Sequence, residues 1–300
     1  MGTTESEEPI KKATVYLIDD DEDDRMFTRE AFESILNWID IIEFSDGKEL
    51  LVALESSSTE QPSLILLDIN MPRMGGIEVL SVIRANPITS HIPVVIFSTS
   101  SNRELISQAY NAGANAYIVK PTSIQGYLKM VHATALSFLN PESVPRLPAD
   151  PAGFTADSIM IIEDNSDHWN LMRLALNTRD GVNLVHLDGP ESVRTFLVSK
   201  YRNLQPPVGL ILLDLYLPNR RQGLDLIDTI REFFARENLP AVPIIIFSAS
   251  DHKEDMIASY QRQANAYITK SVDLAASVGH LNDVCGAWSS TIVTPRKARY

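Results

Sequence analysis

The residues with the clearest potential for chemistry are acids that directly follow short apolar runs. In the first half of the chain, Asp19 and Asp20 follow one run and Asp68 follows another, while Ser98 and Lys120 follow two more. Three carboxylates at one place repel one another, by roughly 4 kcal/mol per pair at about 4 Å and an effective dielectric of about 20. A cation must therefore hold them together, and oxygen ligands with room for water are typical of Mg²⁺.

The second half of the chain repeats this set in the same order, with Glu163, Asp164, Asp214, Ser248 and Lys270. The second acids lie 144 positions apart, and the serines and the lysines lie 150 apart. A single aspartate after a strand is usually a helix cap or a turn residue. Roles that recur in the same order favour two copies of one site, with short loop insertions in the second copy.

The apolar runs predict the strands that position these residues. In the first half we expect strands at Val15–Ile18, Ile39–Phe44, Leu64–Leu67, Val94–Phe97 and Ala116–Val119. In the second half we expect them at Ile159–Ile162, Asn183–Leu187, Leu210–Leu213, Ile244–Phe247 and Ala266–Thr269. Amphipathic helical stretches separate them, which predicts two tandem doubly wound α/β domains with five-stranded parallel sheets. Ligands bind such sheets at the carboxyl ends of the strands, where the polar residues lie.

Composition predicts the boundaries of these domains. A proline-rich stretch is typical of a semi-rigid linker, and this one holds Pro141, Pro145, Pro148 and Pro151. We expect a flexible N-terminal tail over 1–12, a first domain over 13–140, a linker over 141–157, a second domain over 158–289 and a C-terminal tail over 290–300.

Charge and composition exclude several classes of partner. The chain has 26 Lys and Arg against 39 Asp and Glu, a net charge of −13 that opposes nucleic-acid binding. No apolar run approaches the roughly 18 residues that a membrane span requires, and the first residues lack the apolar core of a secretory signal. Cys285 is the only cysteine, which excludes an internal disulfide and fits a reducing compartment. We therefore expect a cytoplasmic protein.

The motifs around these residues closely resemble those of the response-regulator receiver family of two-component signalling, the CheY-like family. The resemblance covers about 125 residues in each half. In the first half it is carried by Leu17–Asp20, Leu66–Pro72, Val95–Thr99 and Ala116–Pro121. The resemblance implies a phosphoprotein rather than an enzyme, whose only chemistry is its own phosphotransfer and dephosphorylation on an aspartate.

The resemblance also implies a role for each residue. Asp68 becomes the phosphoacceptor, with Mg²⁺ held by Asp20, Asp68, the Asn70 carbonyl and, through water, Asp19. Ser98 and Lys120 contact the phosphoryl group, and Tyr117 is the switch residue whose ring turns inward after phosphorylation. In the second half the matching residues are the acceptor Asp214, the metal ligands Glu163, Asp164 and the Tyr216 carbonyl, the phosphoryl contacts Ser248 and Lys270, and the switch residue Tyr267.

The second half departs from the family pattern at three positions. Glu163 replaces the first acid, Tyr216 stands in place of Asn70, and Ser271 replaces Pro121, whose bond to the preceding lysine the resemblance implies is cis. Tyr216 is bulkier than Asn70, so we expect the Asp214 phosphate to last longer than the Asp68 phosphate. Every charged and hydroxyl role remains filled, which favours a competent second site. The alternative is a phosphorylation-incompetent domain that binds another protein.

The resulting hypothesis is a response regulator without an output domain, since only 13 residues follow Ala287. It would take phosphoryl groups from a sensor histidine kinase or histidine phosphotransfer protein. It would act as a phosphorelay element, a sink or a switched adaptor for a downstream protein target. It could also form a homodimer through the face made by helix four, strand five and helix five.

Two other functions share part of this pattern. An aspartyl-phosphate phosphatase requires a second aspartate two residues after the nucleophile, where this chain has Asn70 and Tyr216. A flavodoxin-like flavin module requires a first loop that donates to phosphate, whereas the loop over Asp19–Asp24 carries mainly negative charge. The sequence disfavours both.

Overall fold

The computed structural model describes residues 12–56, 61–139, 144–145, 158–176, 182–271 and 273–295, and these residues form two α/β domains. The elements of the first domain are β1 (Ala13–Ile18), α1 (Glu22–Ile35), β2 (Ile39–Phe44), α2 (Gly47–Glu55), β3 (Leu64–Leu67), α3 (Gly76–Ala85), β4 (Val94–Ser98), α4 (Arg103–Asn111), β5 (Ala116–Val119) and α5 (Ile124–Phe138).

The second domain repeats this order of elements. It comprises β6 (Ser158–Ile162), α6 (Ser166–Leu176), β7 (Asn183–Leu187), α7 (Pro190–Ser199), β8 (Val208–Leu213), α8 (Arg220–Arg236), β9 (Ile244–Ser248), α9 (Lys253–Gln261), β10 (Ala266–Thr269) and α10 (Leu274–Ser290). A 3₁₀ turn at Tyr201–Asn203 follows α7. Every predicted strand is present, and each begins and ends within two residues of its predicted bounds.

Each sheet has five parallel strands. The strand orders are β2-β1-β3-β4-β5 and β7-β6-β8-β9-β10, which are the same order in the two domains. The strand order reverses beside β1 and beside β6, so the crevice at that end of each sheet is where a ligand site is expected. The four residues of β3 and the six of β8 are buried throughout, as strands covered on both faces should be. The predicted fold class is confirmed.

The two domains share one apolar cluster. Residues of α5 and α10 pack together, and the Trp288 indole N–H donates to the Ser137 hydroxyl at 3.1 Å across the boundary. The Asn115 side-chain amide donates to the Ala264 and Asn265 carbonyls at 3.2 and 3.4 Å, and the Asn265 amide donates back to the Asn115 carbonyl at 2.9 Å. Equivalent residues therefore meet each other, as they would in a symmetric dimer.

This contact involves the face for which we predicted a homodimer. Parts of α5 and the start of β5 pack against the second domain, and the Val293 N–H donates to the Tyr117 carbonyl of β5 at 2.8 Å. Val293 of the predicted C-terminal tail is thus packed on the first domain. A homodimer through the same face would have to separate the two domains of one chain first.

The two predicted tails and the predicted linker lie mostly or partly outside the described residues. These are 1–11 of the N-terminal tail, most of the linker predicted over 141–157, and 296–300 of the C-terminal tail. Lys12 pairs with Asp40 at 2.9 Å, so the chain is anchored at the first described residue. Of the linker, residues 144–145 are described, and Val144 is buried.

Candidate phosphoacceptor and metal sites

Site 1 lies at the carboxyl ends of β1, β3, β4 and β5. The carboxylate oxygens of Asp19, Asp20 and Asp68 lie within 4.8 Å of one another. Asp19 and Asp68 are buried, and Asp20 is exposed at the rim. Parallel strands end at the same edge of the sheet, which is why residues almost fifty positions apart meet here.

Lys120 supplies the positive charge of site 1. Its ammonium nitrogen lies 2.5 Å from Asp19 Oδ2, 2.7 Å from Asp24 Oδ2 and 3.8 Å from Asp68 Oδ1. Burial lowers the pKa of Lys120, but the hydrogen bonds to Asp19 and Asp24 outweigh burial and leave the pKa above its usual value. The lysine is therefore charged at neutral pH and already bound to the acids.

Asp68 keeps one oxygen uncommitted. Its Oδ2 accepts from the Asn70 N–H at 3.0 Å, while its buried Oδ1 has no hydrogen-bond partner among the described residues. Burial raises the pKa of Asp68 above its usual value, against the pull of Lys120. Burial also raises the pKa of Asp19, to about 6. An orphaned oxygen among several carboxylates is the arrangement that a divalent cation stabilises, so the residues present fit Mg²⁺.

A glycine fixes the loop that carries Asp68. A Cβ at Gly76 would lie 2.1 Å from the Asp68 carbonyl oxygen, and one at Gly223 would lie 1.8 Å from the Leu215 carbonyl oxygen. Any side chain at either position would force the loop after the acceptor away from the next helix. Both acceptor loops therefore depend on close backbone approach to the start of α3 or α8.

The hydroxyl predicted to meet a phosphoryl group is in place at both sites. Ser98 and Ser248 are fully buried at the ends of β4 and β9. Ser98 Oγ accepts from the Asn70 side-chain amide at 3.2 Å, which links the loop after β3 to the end of β4. We predicted from the sequence that the backbone carbonyl of Asn70 binds the metal. The side-chain amide of Asn70 makes this additional contact.

Both tyrosines predicted as switch residues are buried. The Tyr117 hydroxyl donates to the Ser100 carbonyl at 2.7 Å, and the Tyr267 hydroxyl donates to the Ser250 carbonyl at 2.8 Å. Burial raises the pKa of Tyr117 and brings the pKa of Tyr267 to about 12. The structure thus has the inward orientation that the resemblance links with phosphorylation.

Site 2 has the same lysine-centred arrangement. Lys270 Nζ lies 2.7 Å from Glu163 Oε2 and 3.3 Å from Asp214 Oδ2. Glu163 is buried, and Asp214 Oδ1 accepts weakly from the Tyr216 N–H at 3.4 Å. The structure therefore brings together the first acid, the acceptor and the lysine as the sequence predicted.

The third member of the site 2 cluster differs from the prediction. Among the described residues, the atoms within 4.8 Å of one another belong to Glu163, His168 and Asp214. Asp164, which we predicted as a metal ligand, is exposed and lies outside this group. His168 lies 144 positions after Asp24, the same spacing as between Asp20 and Asp164, so the repeat itself carried the signal for this pair.

A polar network joins the loop after Asp214 to α9. The Tyr216 hydroxyl and the Ser250 hydroxyl donate to Asp255 Oδ2 at 3.0 and 2.6 Å, and Arg220 pairs with Asp255 Oδ1. Burial raises the pKa of Asp255, but these hydrogen bonds outweigh it and hold the pKa below its usual value. We call Tyr216, Arg220, Ser250 and Asp255 the site 2 latch. The matching residue of α4 is Leu105, which cannot make such contacts.

The peptide bond after the first site's lysine, Lys120, corrects one expectation. The cis bonds of the described residues are Gln205–Pro206 and Leu217–Pro218, so the Lys120–Pro121 bond is trans. The expectation of a cis Lys120–Pro121 bond, which the resemblance implied, is therefore wrong. Ser271 in place of Pro121 therefore creates no difference of this kind between the two sites.

No helix of the described residues is long and apolar enough to cross a membrane.

Among known proteins, the chain resembles the response regulator Rcp1 of Synechocystis, with 29% identity over 47% of this chain and 98% of the relative. It resembles the probable methanogenesis regulatory protein FilR2 of Methanothrix harundinacea, with 33% identity over 42% of this chain and 82% of the relative.

Among solved structures, the phosphorylated cyanobacterial phytochrome response regulator RcpA aligns with a TM-score of 0.41 and 29% identity, over 45% of this chain and 99% of that one. The model of the response regulator receiver domain matches twice, at residues 15–132 and 159–282. These two ranges contain both acidic sites and both sheets except for the first residues of β1 and β6. The chain therefore belongs to the response regulator receiver family and carries the receiver domain twice.

Proposed function

We propose that Asp68 accepts a phosphoryl group from a sensor histidine kinase or a histidine phosphotransfer protein in the presence of Mg²⁺. The observation that carries this proposal is the uncommitted Oδ1 of Asp68, which is buried 3.8 Å from the Lys120 ammonium. A buried carboxylate oxygen that accepts no hydrogen bond is costly unless it has a ligand or a reaction to perform.

The residues of site 1 would divide the work of phosphoryl transfer. Asp19, Asp20 and Asp68, with the Asn70 carbonyl, would hold Mg²⁺, which neutralises charge on the phosphoryl oxygens when it is bound. A phosphoryl group adds a charge of roughly −1.5 to −2 at neutral pH. The Lys120 ammonium would move from Asp24 and Asp19 to a phosphoryl oxygen, and the Ser98 hydroxyl would donate to another phosphoryl oxygen. Catalysis is then mainly positioning and charge neutralisation.

Asp214 is the second proposed acceptor. Glu163 pairs with Lys270 as Asp19 pairs with Lys120, and Ser248 is buried like Ser98, which supports the proposal. The site 2 latch favours the alternative in one respect, because it ties the loop after Asp214 to α9 through the hydrogen bond from the Tyr216 hydroxyl to Asp255. If these contacts never break and Asp214 takes no phosphoryl group, the second domain would act as a binding module for another protein.

Phosphorylation of site 1 would also act on the second domain of the same chain, through hydrogen bonds of Tyr117. Ser98 begins the loop that ends at Ser100, whose carbonyl binds the Tyr117 hydroxyl. The Tyr117 carbonyl in turn binds Val293 of the second domain. Movement of Ser98 toward a phosphoryl group would therefore act on the contact between the two domains, and this contact would pass the signal to a downstream protein.

Labelling with radioactive acetyl phosphate and Mg²⁺ tests the two acceptors separately. The wild-type chain should take up phosphate at both sites, Asp68→Asn should retain the label on the second domain alone, and Asp214→Asn on the first alone. Label on the first domain of Asp68→Asn would disprove the assignment of the acceptor. Label absent from the second domain of every variant would favour the binding-module alternative.

A further inference from the structure

The first turn of α6 presents a histidine where α1 presents an acid. Asp21 Oδ1 accepts from the N–H groups of Asp23 and Asp24, and Asn165 Oδ1 accepts from those of Asp167 and His168 in the same way. The two helix starts are therefore capped alike. The side chains of Asp24 and His168 leave equivalent backbone positions toward the lysine of their site.

The imidazole of His168 is directed into the site 2 cluster. Its Nδ1 lies 3.4 Å from Glu163 Oε1 and 3.3 Å from Lys270 Nζ. Adjacent ligand atoms around one ion, at bond lengths of about 2.1 Å, are about 3 Å apart. The observed separation thus needs only a small contraction to bring both atoms onto one ion.

Lys270 shows that this position attracts a cation. Its ammonium contacts Glu163 Oε2 at 2.7 Å, Asp214 Oδ2 at 3.3 Å and His168 Nδ1 at 3.3 Å. These are the three side chains whose ligand atoms lie within 4.8 Å of one another. A nitrogen and two carboxylates therefore surround a place where one positive charge is already stabilised.

The two sites offer different ligand chemistry. The site 1 group consists of three carboxylates, and a fourth, Asp24, binds its lysine. The site 2 group contains two carboxylates and one imidazole. Carboxylate oxygen suits Mg²⁺, whereas imidazole nitrogen raises the affinity for transition-metal ions, which bind nitrogen ligands more strongly than Mg²⁺ does.

We propose that His168 is a metal ligand, together with Glu163 and Asp214, and that site 2 takes a divalent transition-metal ion in preference to Mg²⁺. The inference rests on the proposed function to the extent that both require a divalent cation in this pocket. It differs in naming a nitrogen ligand and therefore a different class of ion. Binding of the ion requires no phosphoryl group, so it can be measured by itself.

Electron spin echo spectroscopy of Mn²⁺ bound to the full chain detects such a ligand directly. Imidazole nitrogen coordinated to Mn²⁺ gives a nitrogen coupling, and the site 1 group holds oxygen ligands only. The wild-type protein should show this coupling. His168→Asp, which copies Asp24, and His168→Gln, which keeps a neutral polar side chain, should both lose it. Asp24→His in the His168→Asp background should restore it, now from site 1.

Competition with Mg²⁺ gives an independent readout. Loss of His168 should lower the preference of the second site for Ni²⁺ over Mg²⁺ by roughly tenfold or more, because imidazole suits Ni²⁺ and carboxylate suits Mg²⁺. Fluorescence of Trp169, which adjoins His168 and stacks on His186 with ring centroids 4.2 Å apart, can report occupancy of this site.

Two results would overturn the inference, and they differ in what else they affect. Two bound Mn²⁺ ions without nitrogen coupling would exclude His168 as a ligand and leave the proposed function intact. No ion bound at site 2 would remove both the inference and the cation required for phosphorylation of Asp214.

Discussion

The two receiver domains have the same strands in the same order, yet their sites differ at the positions that do not determine the fold. Site 1 has Asp24 on its lysine, and site 2 has His168. Site 1 has Asn70 bound to Ser98, and site 2 has Tyr216 bound to Asp255. The buried strands are constrained by packing on both faces, whereas first helical turns and loops are free to change. The same scaffold can therefore carry two different sets of contacts around its two predicted acceptors.

The backbone carbonyl of the first acid, Asp19 or Glu163, has a different hydrogen-bond partner in each site. In site 1, Arg25 donates to the Asp19 carbonyl at 2.6 Å and pairs with Glu43 of β2. In site 2, His186 of β7 makes the bond to the Glu163 carbonyl at 2.9 Å and stacks on Trp169. A buried carbonyl needs a partner, but an ion pair or a stacked ring can each provide it.

The largest difference we expect is in the lifetimes of the two phosphoryl groups. Hydrolysis needs an aligned water, which the Asn70 amide can help to position and the bulkier, latched Tyr216 would exclude. Asp214 should keep its phosphoryl group roughly ten to a hundred times longer than Asp68, since small errors of alignment cost that much in rate. Decay after donor removal, followed in Asp68→Asn and Asp214→Asn, measures this ratio.

Exchange of the two residues sharpens the same comparison. Tyr216→Asn should shorten the lifetime at Asp214, and Asn70→Tyr should lengthen it at Asp68. Equal lifetimes in the parent proteins, or a faster decay at Asp214, would show that Tyr216 does not shield the phosphoryl group.

Where the domains are alike, equivalent mutations should have equal effects. Asn115 Oδ1 accepts from Arg84 and the Val94 N–H, and Asn265 Oδ1 accepts from Arg231 and the Ile244 N–H. Replacement of either asparagine by alanine leaves buried donors unpaired and should cost about 3 kcal/mol of unfolding free energy. Urea denaturation measures both costs, and a large inequality would contradict the symmetry of the interface.

The site 2 latch should contribute to stability only in the second domain. Asp255→Ala removes an acceptor that serves Tyr216, Ser250 and Arg220, and should cost about 1 to 2 kcal/mol because Asp255 is buried. Asp228→Ala breaks an exposed ion pair with Arg262 in the same domain and should cost less than about 1 kcal/mol. Equal losses in thermal or urea unfolding would show that the latch is no stronger than a surface pair.

The smallest expected effect is the acid sensitivity of that latch. The pKa of Asp255 lies below its usual value in the folded state, so its contribution to stability is complete above the unfolded pKa of about 4. The contribution is lost as the pH falls through the folded pKa. The difference in melting temperature between wild type and Asp255→Asn should therefore narrow below about pH 4, and a constant difference would count against the ionised latch.

The sequence was sufficient for the strands and for the residues at their carboxyl ends, because both follow from local apolar runs. Asp68, Ser98 and Lys120 were identified in this way, as were their counterparts in the second half. The latch could not be identified from local sequence, since Tyr216 and Asp255 lie 39 positions apart and meet only in the folded domain. The pairing of Asn115 with Asn265 requires the two domains to be docked. His168 could have been found, because the repeat aligns it with Asp24.

The most direct test of the central claim is chemical mapping of the phosphorylated residue. Borohydride reduces an aspartyl phosphate to homoserine, which peptide mass spectrometry assigns to one position. After treatment with acetyl phosphate and Mg²⁺, we predict homoserine at Asp68, and none there when Mg²⁺ is removed by a chelator. Homoserine at another acid of site 1, or an unmodified Asp68 in a protein that carries label on its first domain, would contradict the account.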